Sequence, residues 1–261
     1  MKTTSERKPS STCEDHMIKA VFFDLGGTLL HYGGADEETL YLQGVKRVHE
    51  ELARRGHKVP DFETFHKRIY RAIKVRAMLL FFSGRELQLG RIVRRVLRRM
   101  KIKLRDGEVA ELAQVWFQAY QPHVGYYDDV ADTLQELQEM GLKTGVISNT
   151  LWPAWLLKQE LTRRGHSRHF DLMLFSPEVG FRKPSRKIFR QALKQLRLKG
   201  REAAFVGDSL VEDVRGPQRV RMLTILKRQP DQKSRRSIQP DYVVDRLSEI
   251  PDIIEQVNAA G

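Results

Sequence analysis

Two aspartates and a serine sit where short apolar runs end, and a lysine lies between them in sequence. Asp24 follows Ala20–Phe23 in VFFDLGGTLL, Ser148 closes GVIS, and Asp208 closes FVGD, with Lys183 in GFRKPS. A strand buried on both faces that delivers a carboxylate onto a glycine loop places it just outside the carboxyl end of the strand, where ligands bind in open parallel sheets. Those ten residues leave one alternative open, an ordinary strand exit in which Asp24 caps backbone amides. Two carboxylates on one sheet edge suit a hard cation such as Mg²⁺, which takes oxygen ligands and keeps several waters. Asp213, five residues after Asp208, is close enough to support or join them. A nucleophile, a metal, a hydroxyl and an ammonium together describe phosphoryl transfer, in which neutralising the phosphoryl oxygens carries most of the catalysis.

The elements that must position these groups follow an α/β pattern. After Asp128–Met140, whose apolar residues fall at helical spacing, strands are expected at Leu142–Ile147, Leu172–Phe175, Ala203–Val206, Leu223–Leu226 and Tyr242–Val244. Helices are expected between the earlier ones and after the last, and this alternation predicts a Rossmann-like parallel sheet flanked by helices. With 261 residues the chain can bury a substantial core. Residues 1–16 are polar, without apolar period, and read as a disordered tail. A single cysteine, Cys13, excludes an internal disulfide framework, and no long apolar segment signals a leader or a membrane span. The cytoplasm is therefore the expected compartment.

One block departs from this pattern. Four amphipathic stretches, near 36–55, 62–82, 86–101 and 106–120, follow one another without a strand and predict a small helical bundle inserted after the first strand. The second stretch ends in Met78–Phe82, read as buried, and His31–Ala35 reads as a flexible connector with Gly33 and Gly34 as hinge. The expected organisation is a core of residues 17–32 and 122–261 with a cap of residues 33–121. The chain carries a net charge of +13, and Lys46–Arg105 alone holds 19 Lys/Arg against 5 Asp/Glu. Arg91, Arg94, Arg95, Arg98 and Arg99 share one face, which admits three readings: a solvated face, a surface steering anionic substrates, or a nucleic-acid contact.

VFFDLGGTLL, GVISNT, GFRKPSRKIF and FVGDSLVED stand in the order and approximate spacing of the four motifs of the haloacid dehalogenase superfamily, and PDYVVDRLSEI resembles its usual ending. The resemblance spans residues 17–257. It implies that Asp24 attacks phosphorus and forms an aspartyl-phosphate, and that Ser148 and Lys183 bind the transferring group with Asn149 alongside. It also implies Mg²⁺ held by Asp24, the carbonyl of Gly26, Asp208 and Asp213. Thr28 and Arg85, the latter in the turn Ser83-Gly84-Arg85, are further candidates for substrate contact.

Phosphatases of this family generally carry a second Asp two residues after the nucleophile, as the acid for the leaving alcohol and the base for water. Here that residue is Gly26. Glycine keeps the carbonyl for the metal and loses proton transfer, typically worth 10²–10⁴-fold. Leaving groups of low pKa are then handled best, unless another group donates; His31 is the first candidate by proximity in sequence, against the alternative of a solvated loop residue. The leading expectation is a Mg²⁺-dependent hydrolase of a small phosphorylated metabolite. A carbon–halogen hydrolase and a weakly catalytic binding protein with a basic cap are the alternatives.

Overall fold

The computed structural model of the chain describes residues 17–80, 83–230 and 237–260; the tail expected at residues 1–16 and Phe81-Phe82 lie outside the described residues. The chain opens with β1 (Ala20–Phe23), every residue of it inaccessible to solvent. Full burial of each phenylalanine there contributes roughly 1.5–3 kcal/mol over leaving it exposed. A short strand β2 (Leu30–His31) precedes four helices, α1 (Glu37–Arg54), α2 (Phe62–Leu80), α3 (Leu89–Arg99) and α4 (Glu108–Phe117). Then come β3 (Gly125–Tyr126), α5 (Val130–Glu139), β4 (Lys143–Ser148), α6 (Ala154–Arg163), β5 (Leu172–Phe175), α7 (Ser176–Val179) and α8 (Arg186–Leu196). The chain ends with β6 (Ala203–Gly207), a π-helix (Leu210–Arg215), α9 (Gly216–Gln218), β7 (Leu223–Lys227), β8 (Tyr242–Val244) and α10 (Ile250–Ala260).

Six strands form one parallel sheet in the order β5-β4-β1-β6-β7-β8, the α/β architecture that the alternation predicts. β1 lies between β4 and β6, with Phe23 level with Val146 on one side and Val206 on the other. Residues that follow these three strands therefore share one edge, about 4.8 Å apart from strand to strand. Apolar side chains fill both faces: Val21, Phe23, Val146 and Val206 on one, Phe22, Ile147, Phe205 and Phe189 on the other.

The four consecutive helices begin with good local signals. Asp36 caps α1 by accepting from the Thr39 amide at 2.8 Å, and Asp61 accepts from the Thr64 amide at 2.9 Å. Helices α1 and α4 approach closely because residue 44 is glycine; a Cβ there would fall 1.9 Å from the Trp116 ring.

Two expectations are corrected here. The connector at His31–Ala35 is not wholly irregular, because His31 pairs with Gly125 in an antiparallel β2–β3 ribbon. This pairing ties the segment entering the helices to the segment leaving them. The run starting at Met78 is not buried: Met78 and Leu79 are 70% and 64% exposed. Adjacent residues on a helix point about 100° apart, so a continuous apolar run cannot face one side. Phe65 and Ile69, at helical spacing, are the buried residues of α2. Among the described residues, no helix is long and apolar enough to cross a membrane.

Candidate active site

The turn after β1 is built for closeness. Leu29 and Leu30 amides both donate to the Leu25 carbonyl at 2.9 Å, and the Gly27 amide donates to the Leu30 carbonyl at 2.7 Å. Gly27 has φ +77°, and a Cβ on it would fall 2.3 Å from Asp208 Oδ2, so only glycine lets the first turn lie against this carboxylate. Gly207 serves Asp213 in the same way, since a Cβ there would meet the Asp213 side chain at 2.4 Å. At Gly26 the situation is opposite, with nothing within 4 Å of a built Cβ.

These approaches bring Asp24, Asp208 and Asp213 together, each offering a carboxylate oxygen within 4.8 Å of the others. Lys183 lies among them, its Nζ 2.8 Å from Asp24 Oδ1 and 2.6 Å from Asp213 Oδ1. Both Lys183 and Asp213 are fully buried, so each needs the other: removing one partner of a buried pair strands an uncompensated charge. The Ser209 amide donates to the second oxygen of Asp213 at 2.9 Å. Burial by itself would lower the Lys183 ammonium, but Asp213 and then Asp24 outweigh it and hold it above the ordinary lysine range. Burial, with the Asp24 charge beside it, pushes the Asp208 carboxyl up to about 6. Burial also raises Asp213, against the pull of Lys183. Three carboxylates around a single ammonium form an oxygen-donor set with excess negative charge out of water, which fits a hard divalent cation.

The remaining sequence candidates divide. Ser148, buried at the end of β4, stands on the same edge as Asp24. The Asn149 side chain is engaged with the loop that carries Lys183. Its Oδ1 accepts from the Lys183 amide at 2.8 Å, and its Nδ2 donates to the Lys183 carbonyl at 3.0 Å and to Glu212 Oε2 at 2.8 Å. With its amide so engaged, it positions the lysine loop. Thr28 is fully buried and its hydroxyl has no partner among the described residues.

Arg85 and His31 make contacts of other kinds. Arg85 pairs with Phe181 in an isolated antiparallel bridge, flanked by Glu86 N to Gly180 O at 2.9 Å and Arg182 N to Gly84 O at 3.0 Å. Its side chain lines a groove of about 1120 Å³ between α2 and α3, and none of Asp24, Ser148, Lys183, Asp208 or Asp213 lines that groove. His31 is near Asp24 in sequence but its Nδ1 accepts from the Gly33 amide at 3.0 Å and its ring packs edge-on to Tyr127 at 5.2 Å.

Several residues around the centre carry no sequence signal read above. Gln229 Nε2 and Tyr127 hydroxyl donate to the Gly27 carbonyl at 2.5 and 3.4 Å, and Lys227 Nζ lies 3.5 Å from the Tyr127 ring centroid. The clearest available signal was the place of Lys227 at the end of β7, on the same sheet edge. Tyr32 and Tyr126 reach a small cavity beside Gly26, Ser148 and Asn149. Nothing in their local sequence announces this, because the β2–β3 ribbon that brings them there pairs Leu30 with Tyr126 and His31 with Gly125, more than 90 residues apart.

A parallel sheet in this order, with an aspartate after β1 and an acid–lysine cluster on the same edge, defines a hydrolase-type centre. The family model of the haloacid dehalogenase-like hydrolases matches residues 18–221, and the chain belongs to that family. Among curated relatives, a glyceraldehyde 3-phosphate phosphatase of Methanopyrus kandleri is 29% identical over 92% of this chain and 99% of its own. A solved structure of a HAD phosphatase from Thermococcus onnurineus matches with TM-score 0.62 and 25% identity, covering 91% of this chain and 98% of that one. The fold is shared as well by a 2-haloacid dehalogenase from Pseudomonas syringae, at TM-score 0.66 and 24% identity over 92% and 99% of the two chains.

Proposed function

We propose that this hydrolase is a Mg²⁺-dependent phosphatase of a small phosphorylated metabolite, working through an aspartyl-phosphate on Asp24. The observation that carries the reading is the convergence of Asp24, Asp208 and Asp213 within 4.8 Å of one another around a fully buried Lys183. A site for halide displacement alone has no need of three carboxylates, whereas a phosphoryl group arriving beside them needs a cation to offset its charge. The name of the Methanopyrus relative, a phosphatase of a three-carbon phosphate, supports the substrate class.

In this reading Asp24, Asp208 and Asp213 hold the cation, whose part is to neutralise phosphoryl oxygens. Lys183 places a fixed positive charge at the same oxygens and orients Asp24 through their 2.8 Å contact. Ser148 contributes a hydroxyl from the neighbouring strand, and Asn149 keeps the Lys183 loop in register. The helices α1–α4 act as a cap over the sheet edge, steadied by the β2–β3 ribbon.

Purified protein assayed against a panel of phosphate esters, with and without Mg²⁺, tests this. Metal-dependent phosphate release that disappears in Asp24→Asn, together with mass-spectrometric capture of phosphate on Asp24, is the expected result. Release that persists in Asp24→Asn, or metal-free turnover of a 2-haloacid in its place, would overturn it.

A further inference from the structure

Gly26 leaves the proposed reaction without the carboxylic acid that would protonate a leaving alcohol, and the structure holds other donors where that acid would reach. A cavity of about 60 Å³ lies directly beside Gly26, Ser148 and Asn149, and its far wall includes Tyr32, Tyr126, Phe117 and Trp152. A Cβ on Gly26 would meet nothing within 4 Å, so residue 26, which lines this cavity, has room for a side chain. Of the polar groups around it, most are engaged. The Asn149 amide holds the Lys183 loop, and Glu160, buried, is paired with Arg163 and Arg164, each at 2.6 Å.

The two phenols are different. The Tyr126 hydroxyl is sealed from solvent and has no hydrogen-bond partner among the described residues. An unmet buried hydroxyl costs free energy that a ligand atom would recover. Tyr32 lines the same cavity, with its ring edge-on to Tyr120 at 5.9 Å. Their positions differ in a useful way. Burial first, then Glu37 and Asp24, push the Tyr32 phenol up to about 12, so it feels the nucleophile and stays protonated at neutral pH. Tyr126 lies tilted against His166, ring centroids 4.1 Å apart, with the Arg164 guanidinium 5.8 Å from its ring centroid, toward the Glu160 cluster.

We infer that the cavity beside Gly26 receives the leaving group, that Tyr32 supplies the proton the absent carboxylic acid would have supplied, and that Tyr126 hydrogen-bonds the far end of a small leaving alcohol. This rests on the phosphatase reading above. As the bond from Asp24 to phosphorus forms and the bond from phosphorus to the leaving oxygen breaks, that oxygen takes the Tyr32 proton. Water then attacks the aspartyl-phosphate, its hydroxide going to phosphorus and its proton to the Tyr32 phenolate, and the Asp24 carboxylate departs. One ester and one water give one alcohol and one phosphate, with Tyr32 and Asp24 restored. A cavity of this size admits only a few non-hydrogen atoms, which limits the leaving group to a short chain.

The test compares ethyl phosphate, whose alcohol needs a proton to leave, with acetyl phosphate, whose carboxylate does not. Parent, Tyr32→Phe, Tyr126→Phe and the double variant Tyr32→Phe with Gly26→Asp are assayed on both, with circular dichroism and thermal midpoint as folding controls. Tyr32→Phe is expected to lower the single-turnover rate of Asp24 phosphorylation from ethyl phosphate by about 10²-fold while that from acetyl phosphate changes less than about threefold; the later water attack, in which Tyr32 takes part with either ester, lies outside this comparison. Adding Gly26→Asp should restore ethyl phosphate turnover, because a carboxylic acid then reaches the same cavity. Tyr126→Phe should raise KM for a hydroxylated three-carbon phosphate and leave acetyl phosphate unchanged. Equal losses on both substrates in a folded Tyr32→Phe, no loss on either, or no rescue by Gly26→Asp would overturn the assignment of Tyr32. A parent inactive on every phosphate ester would overturn the phosphatase reading itself, a distinct result.

Discussion

Lys183 and the arginines of the α2–α3 groove carry the same charge, and the fold treats them in opposite ways. Lys183 is fully buried, with two carboxylates at 2.6 and 2.8 Å and its backbone clamped by Asn149. The groove is walled by Arg68, Arg71, Arg76, Arg91, Arg95 and Arg99 over an apolar floor that includes Ala72, Leu80 and Ile92, and none of these arginines pairs with a carboxylate among the described residues. Burial makes the difference. A charge taken out of water must be matched by neighbours at fixed distance, whereas a charge facing water is screened within about 10 Å at 0.1 M salt and needs no partner. The charge at the sheet edge is thus held by fixed neighbours, and those of the groove stand without carboxylate partners among the described residues.

The largest effect should come from breaking the buried side. Lys183→Met strands Asp213 in the core and is expected to cost about 3–5 kcal/mol of stability, read by urea denaturation. It should also lower turnover by about 10²–10³-fold. A variant as stable as the parent would show that Asp213 finds another partner. Gly27→Ala comes next, since its methyl would collide with the Asp208 carboxylate at a φ that alanine disfavours. Weakening of Mg²⁺ binding by about 10–100-fold, measured calorimetrically, is expected.

Gly26→Asp, two residues beyond the nucleophile, sharpens the contrast in the other direction. The space around Gly26 accepts a side chain, so this variant should fold normally and hydrolyse alkyl phosphates about tenfold faster or more. A rate no faster than the parent's would mean that proton supply does not limit turnover. The smallest effect belongs to the groove. Replacing Arg91, Arg95 and Arg99 together by Gln should change stability by no more than about 0.5 kcal/mol per site and leave kcat alone. Any rise in KM for an anionic substrate should be a few-fold at low ionic strength and vanish in high salt. A salt-independent loss would mean that these arginines act by contact.

Much of this was legible from residues 17–257 because the signals are local. Asp24, Ser148 and Asp208 could be picked out since each ends an apolar run, and the helices of the insert could be placed from spacing and from caps such as Asp61. His31 was singled out for nearness along the chain, and Arg85 for its place in a turn between two helices. The structure pairs His31 with Gly125 and bridges Arg85 to Phe181, on the segment leading to Lys183. Asn149 has the residue type of a substrate contact, yet its amide is occupied by a loop 34 residues away. The exposure of Met78 and Leu79 likewise depends on where α2 outruns its neighbours, which composition does not record.

What the sequence determined by itself is the set of chemical groups and the strand or loop that carries each, since apolar period, glycine and proline act over a few residues. Tertiary structure alone decided that β4 and β6 flank β1, and so that carboxylates almost 190 residues apart meet within 4.8 Å around one lysine. It also decided that the cavity beside Gly26 is lined by two phenols, of which Tyr126 has a buried hydroxyl without a partner among the described residues. Strand order and packing arise from contacts between residues far apart in the chain, and no local pattern encodes which of them will be neighbours.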